Sequence, residues 1–153
     1  MSDTRKLLSD LLDSYWFKLL TEEGERLPDP TAQIVELAAS SEHNDYHFVN
    51  RVALVLINIA RQDRRHRPLA RKYLERLLEP EYDPYMVGYR DIVLAHILIS
   101  LAELGVHDGD CEAGHAYMQA AIAEGTHYIR GELEMVRRLI ALRCAKGEEQ
   151  AEP

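Results

Sequence analysis

A chain of 153 residues with 46% hydrophobic and 29% charged residues has the length and balance of one globular domain. Its net charge of −8 sets the body of the protein against phosphate, and so against a nucleic-acid surface spread over the whole chain. Two cysteines, Cys111 and Cys144, show no CxxC spacing, so a disulfide framework is not expected and a reducing cytoplasm is the expected compartment. The N-terminal stretch MSDTRKLLSDLLDSYWF mixes acids with its leucines and reads as a helix rather than a leader. The longest apolar run, Val52 to Ala60, falls far short of the ~20 residues of a membrane helix, so no membrane is expected.

The first helix draws one apolar stripe through Leu7, Leu8, Leu11, Leu12, Tyr15, Trp16, Leu19 and Leu20. Gly24 and Pro28 break it, and Asp29-Pro30 caps a short second helix carrying Ile34, Leu37 and Ala38. A third helix through Val49, Val52, Leu56 and Ile59 is apolar on most sides and is expected to be central. Pro68 opens a fourth, with Leu69, Tyr73, Leu74, Leu77 and Leu78 facing inward.

Asp83-Pro84 has the chemistry to start a fifth helix, whose inner face collects Ile92, Val93, His96, Ile97, Leu101 and Leu104 and which Gly105 ends. A sixth runs through Ala113, Tyr117, Ala120 and Ala121 to Gly125. A seventh, capped by Thr126, uses Leu133, Val136, Leu139 and Ile140 and stops near Gly147. No stretch alternates with period two, so the fold class is all-α: about seven antiparallel helices in a compact hairpin stack or bundle. One domain is expected over 1–147, followed by a disordered tail at 148–153.

The third and fourth helices overlay on the fifth and sixth. In the second unit Leu104-Gly105 closes one helix, and Ala113, Tyr117 and Ala120 follow the A-x3-[FY]-x2-A spacing of the next. Residues 47–125 thereby resemble tetratricopeptide hairpins, with Leu98 in place of an early small residue and no closing proline. The resemblance implies a hairpin stack that holds a protein partner.

Charge is concentrated in one window. Arg61, Arg64, Arg65, Arg67, Arg71, Lys72 and Arg76 face only Asp63 and Glu75, a local +5 on a chain whose remainder carries −13. Such a patch suits an acidic partner segment, or pairs with the chain's own acids. It has no aromatic platform for stacking bases.

Close by, Tyr82, Tyr85, Met86 and Tyr89 surround a proline-rich connector, and tyrosine and methionine are enriched where proteins bury surface on each other. The candidate partner-binding residues are therefore Arg61, Arg64, Arg65, Arg67, Arg71, Lys72, Tyr82, Tyr85, Met86 and Tyr89. Alternatively, Tyr85 and Tyr89 lid the start of the fifth helix.

Other constellations are thinner. His43-x3-His47 and Glu112-x2-His115 have metal-ligand spacing, but a di-iron site needs two ExxH motifs and further inward carboxylates. His96 and Asn58 are expected as hydrogen-bonded core residues, and Cys111 near a helix start has no His/Asn partner set.

No catalytic residue, metal or cofactor is assigned. The leading expectation is a non-catalytic adaptor, chaperone or regulator that binds a protein partner, with homo-oligomerisation in keeping with it. The alternatives are a helical-bundle metal protein or enzyme using Glu112, His115 and His96, and a nucleic-acid-associated accessory protein.

Overall fold

A computed structural model describes the backbone of residues 2–151 and the side chains of residues 3–144. The described residues hold seven α-helices and no strand: α1 (Ser2–Leu20), α2 (Thr31–Ser40), α3 (Tyr46–Gln62), α4 (Arg67–Leu77), α5 (Arg90–His107), α6 (Cys111–Glu124) and α7 (Arg130–Ala151). The protein is all-α, as the helical periodicity predicts. No described helix is long and apolar enough to cross a membrane.

The helices form two compact units, 1–73 and 74–153, the division falling within α4. In the first unit α1, α2 and α3 pack on one another. Leu8 and Leu12 of α1, Ile34 and Ala38 of α2, and Val49, Val52 and Leu56 of α3 are buried. Capping is local. Asp45 caps α3, accepting from the His47 N–H at 3.3 Å, whereas Pro30 and not Asp29 is the N-cap of α2, and the Asp29 carboxylate ahead of it accepts from the Thr31 N–H at 3.0 Å.

Across the helices, Arg5 pairs with Asp45 at 2.6 Å and Arg51 with Asp13 at 3.0 Å, while both guanidinium groups lie against the Phe48 ring. The Tyr73 hydroxyl donates to the Ala38 carbonyl at 2.7 Å, and burial pushes its pKa up to about 12.

In the second unit α5 packs against both α6 and α7. Its core joins Ala95, Ile99, Ala102 and Val106 of α5 to Met118 and Ala121 of α6, and to Leu133, Val136, Ile140 and Cys144 of α7. Gly105 does not end α5, which continues to His107. Gly105 and Gly114 instead let the two helices approach: a Cβ on Gly114 would lie 2.5 Å from Val106 Cγ2. Close approach is what the tetratricopeptide-like spacing implied, but the buried line on α6 is Gly114, Met118 and Ala121, one residue on from Ala113, Tyr117 and Ala120.

The two cysteines correct the sequence reading outright. Cys111, the first residue of α6, forms a disulfide with Cys144 of α7, their Cα atoms 5.7 Å apart. The residues are 33 apart in sequence, a separation with no local signature.

Two helix starts differ as well. Asp83-Pro84 lies in a 3-10 stretch, Pro80–Met86, and α5 begins only at Arg90. Thr126 opens a 3-10 turn, Thr126–Tyr128, before α7. α7 passes Gly147; the tail expected at 148–153 has its side chains, and at 152–153 its backbone, outside the described residues.

Candidate protein-binding surfaces

The arginine segment belongs to the first unit and is built on Asp63. This residue ends α3 and caps the 3-10 turn Arg64–His66, its side chain accepting from the Arg65 N–H at 3.0 Å. The Arg65 guanidinium closes back on the same carboxylate, through Nε at 3.0 Å and Nη2 at 2.6 Å. That bidentate contact holds the Asp63 pKa well below the usual carboxylate range. Arg65 is thus exposed but already neutralised by its neighbour.

Arg61, Arg64 and Lys72 are exposed, while Arg67 and Arg71 are half-buried. Three cations of the +5 window, Arg61, Arg64 and Lys72, are therefore exposed beside the neutralised Arg65. Arg61 leans towards Asn58, whose Oδ1 accepts at 3.5 Å, and Asn58 is half-buried rather than enclosed in the core.

The connector belongs to the second unit. Tyr82 and Met86, 2% and 0% exposed, are core residues, so they leave the set of side chains that a partner could touch. Arg76 lies over the Tyr82 ring at 5.0 Å and pairs with Glu79 and Glu81, which closes the base of the connector.

What projects instead is a knuckle of Tyr85, Val87 and Tyr89, exposed by 48%, 76% and 44%. Its shape is fixed by the backbone. The Tyr89 N–H donates to the Met86 carbonyl at 3.0 Å, the Tyr89 hydroxyl donates to the Tyr85 carbonyl at 2.8 Å, and Gly88 takes φ 92°, which a side chain at that position would resist. Asp83 and Arg90, 3.7 Å apart, flank it with charge. Sequence reasoning missed Val87. The only signal was an isolated valine before glycine between two tyrosines, and turns carry no periodicity to say which side chain points out.

The remaining candidates are scattered. His43 precedes α3 and sits 2.8 Å from the Ser41 hydroxyl, so it does not share a helical turn with exposed His47. Glu112 and His115 are both exposed on α6. His96 is exposed, not a core residue as expected. Among the described residues no three His, Cys, Asp or Glu side chains gather as metal ligands would. Cys111 is held as a disulfide and is not a free thiol. Glu103, which the sequence reading passed over, is 3% exposed within the buried run Leu101–Val106 of α5.

Set against family models, curated proteins and solved structures, the chain finds no match in any of the three.

Proposed function

We propose that this chain is a non-catalytic protein-binding module, an adaptor, chaperone or regulator, whose partner docks on the Tyr85–Val87–Tyr89 knuckle. The observation that carries the reading is the exposure of Val87, 76%, between two half-exposed tyrosines on a turn held by its own hydrogen bonds. An apolar group presented on a pre-shaped turn loses little conformational freedom on binding, which is how aromatic hot spots work.

The projecting cations Arg61, Arg64 and Lys72 form a second surface that favours an acidic partner segment. The tetratricopeptide-like spacing over residues 47–125 agrees with a partner-holding role. Cytoplasmic location was inferred from unpaired cysteines, and the Cys111–Cys144 bond removes that support.

The test compares quantitative capture from the native host by wild type, Val87→Asp and the double variant Arg64→Glu/Lys72→Glu. The knuckle variant is expected to lose its partner, and the charge variant to bind more weakly and with less salt dependence. Equal recovery of the same proteins by all three would sink the reading.

A further inference from the structure

α7 has two faces with opposite occupancy. Leu133, Val136, Ile140 and Cys144 turn inward and are buried against α5 and α6. On the opposite side Gly131, Met135, Arg138 and Leu142 form an outward stripe, with Met135 37% and Leu142 59% exposed. Glu134 and half-buried Leu139 border this stripe, and the six residues line a shallow hollow of about 250 Å³.

We infer that this stripe is a two-fold contact between two copies of the chain, with their α7 helices antiparallel. Three features point to a second copy rather than to an unrelated partner. The first is spacing. Gly131, Met135, Arg138 and Leu142 are separated by four, three and four residues, a sequence of steps that reads identically in both directions. Antiparallel pairing therefore sets Gly131 level with Leu142 of the other copy, and Met135 level with its Arg138.

The second is shape. A Cβ at Gly131 would meet nothing within 4 Å, so the glycine is an open notch, and the half-exposed Leu142 is a knob of the size to enter it. The third is charge. Within one copy Glu134 and Arg138 are paired at 2.7 Å, with 66% and 75% of these side chains exposed. Across the axis, Arg138 lies about 1.5 Å along the helix from the level of the other copy's Glu134. The two pairs then close into a ring of alternating sign, while the Arg138 stem covers Met135.

The disulfide at Cys144 clamps the inner face two residues beyond Leu142, so the stripe is presented on a fixed helix. The contact is short, and the dimer belongs to the weak class.

The experiment is sedimentation equilibrium from micromolar to millimolar chain. Wild type is expected to pass from monomer to dimer over that range. Arg138→Glu gathers four carboxylates at the axis and Glu134→Arg gathers four guanidinium groups, so each variant alone is expected to stay monomeric. Mixed in equal amounts they are expected to form a heterodimer, because opposite charges then face each other across the axis. All of these positions are exposed, and unchanged circular dichroism establishes that each variant is folded. Wild type that remains monomeric at millimolar concentration, an Arg138→Glu variant that dimerises as wild type does, or a mixture that gives no dimer would each overturn the proposal. A dimer lost in Val87→Asp but kept in Arg138→Glu would place self-association on the knuckle instead, and would equally overturn it.

Discussion

The two units are both helical and both have apolar cores, yet different contacts are added to those cores. In the first, helices are tied by ion pairs with much of their surface in water: Arg5 to Asp45, and Arg51 to Asp13, with Phe48 against both guanidinium groups. Exposed pairs of this kind contribute about 0–1 kcal/mol each. The second unit relies on close backbone approach at Gly105 and Gly114 and on a covalent bond between α6 and α7. Cross-linking over such a separation contributes roughly 3–4 kcal/mol by restricting the unfolded chain. The comparison teaches that one fold class does not imply one source of stability, and that a reductant should act on the second unit alone.

The sharpest way to break that contrast is to cut the disulfide. Reduction, or Cys111→Ser, is expected to lower stability by roughly 3–4 kcal/mol in the second unit. Trp16, the only tryptophan, lies in α1 and reports the first unit by fluorescence, while far-ultraviolet circular dichroism reports both. The dichroism transition should move to lower denaturant and the Trp16 transition should move less. If the two shift together, the units unfold as one and the contrast fails.

A smaller effect tests the glycine contact. Gly114→Val forces its side chain into Val106 and is expected to cost about 1–3 kcal/mol. Gly105→Ala is the opposite case, because its Cβ would lie 3.4 Å from the nearest atom, the backbone nitrogen of Gly114. There the helix-propensity gain, up to ~1 kcal/mol, is expected to offset the crowding. A lowered denaturation midpoint for Gly114→Val beside an unchanged one for Gly105→Ala would sharpen the comparison; equal losses would show that the whole hairpin is tightly packed.

Much of the first unit was legible in the sequence. The α1 helix and the largely buried α3 follow from spacing, although of the α1 stripe only Leu8, Leu12 and Tyr15 are buried while Leu7, Leu19 and Leu20 are exposed, and α2 is capped by Pro30 rather than by Asp29. The second unit was harder for identifiable reasons. The α5 sequence RDIVLAHILISLAELGVH has apolar residues on every side of the helix, so its periodicity does not choose a face, and His96, expected inward, faces out. Gly105 looked like a helix terminator because its partner, Gly114, lies on another helix. Cys111 and Cys144 meet only once α6 and α7 are folded on α5. At the candidate site the tyrosine-rich connector was visible, but which of its side chains project was not, since Tyr82 and Met86 turn inward and Val87 outward in a turn without a period.

Next in size is Tyr73, which belongs to the first unit. Tyr73→Phe removes the hydroxyl bond to Ala38 and is expected to cost about 1 kcal/mol at neutral pH. Burial raises the folded pKa from its ordinary value of 10 to about 12, so the neutral hydroxyl is favoured in the folded chain. The stabilisation is complete below pH 10 and is lost as pH rises towards 12, where the unfolded chain has released the proton and the folded one has not. In denaturation curves followed through Trp16, Tyr73→Phe should flatten that alkaline loss; an unchanged slope would assign it to other groups.

The smallest expected effect bears on the claim that the first unit is tied by ordinary surface electrostatics. Arg5→Gln removes the pair with Asp45 and the contact with Phe48, and should cost about 0.5–1 kcal/mol at low ionic strength. Two parts of that loss respond differently to salt. The ion pair, about half exposed on the Arg5 side, is screened within roughly 10 Å at 0.1 M, whereas the guanidinium face on the ring is not. The difference between wild type and variant, followed at Trp16, should therefore shrink as salt is added without vanishing. A salt titration of Gly114→Val, followed by circular dichroism, should leave its deficit unchanged, because packing carries no charge. A salt-independent Arg5→Gln deficit would mean that the ring contact outweighs the ion pair, and the first unit would then resemble the second more closely than their surfaces suggest.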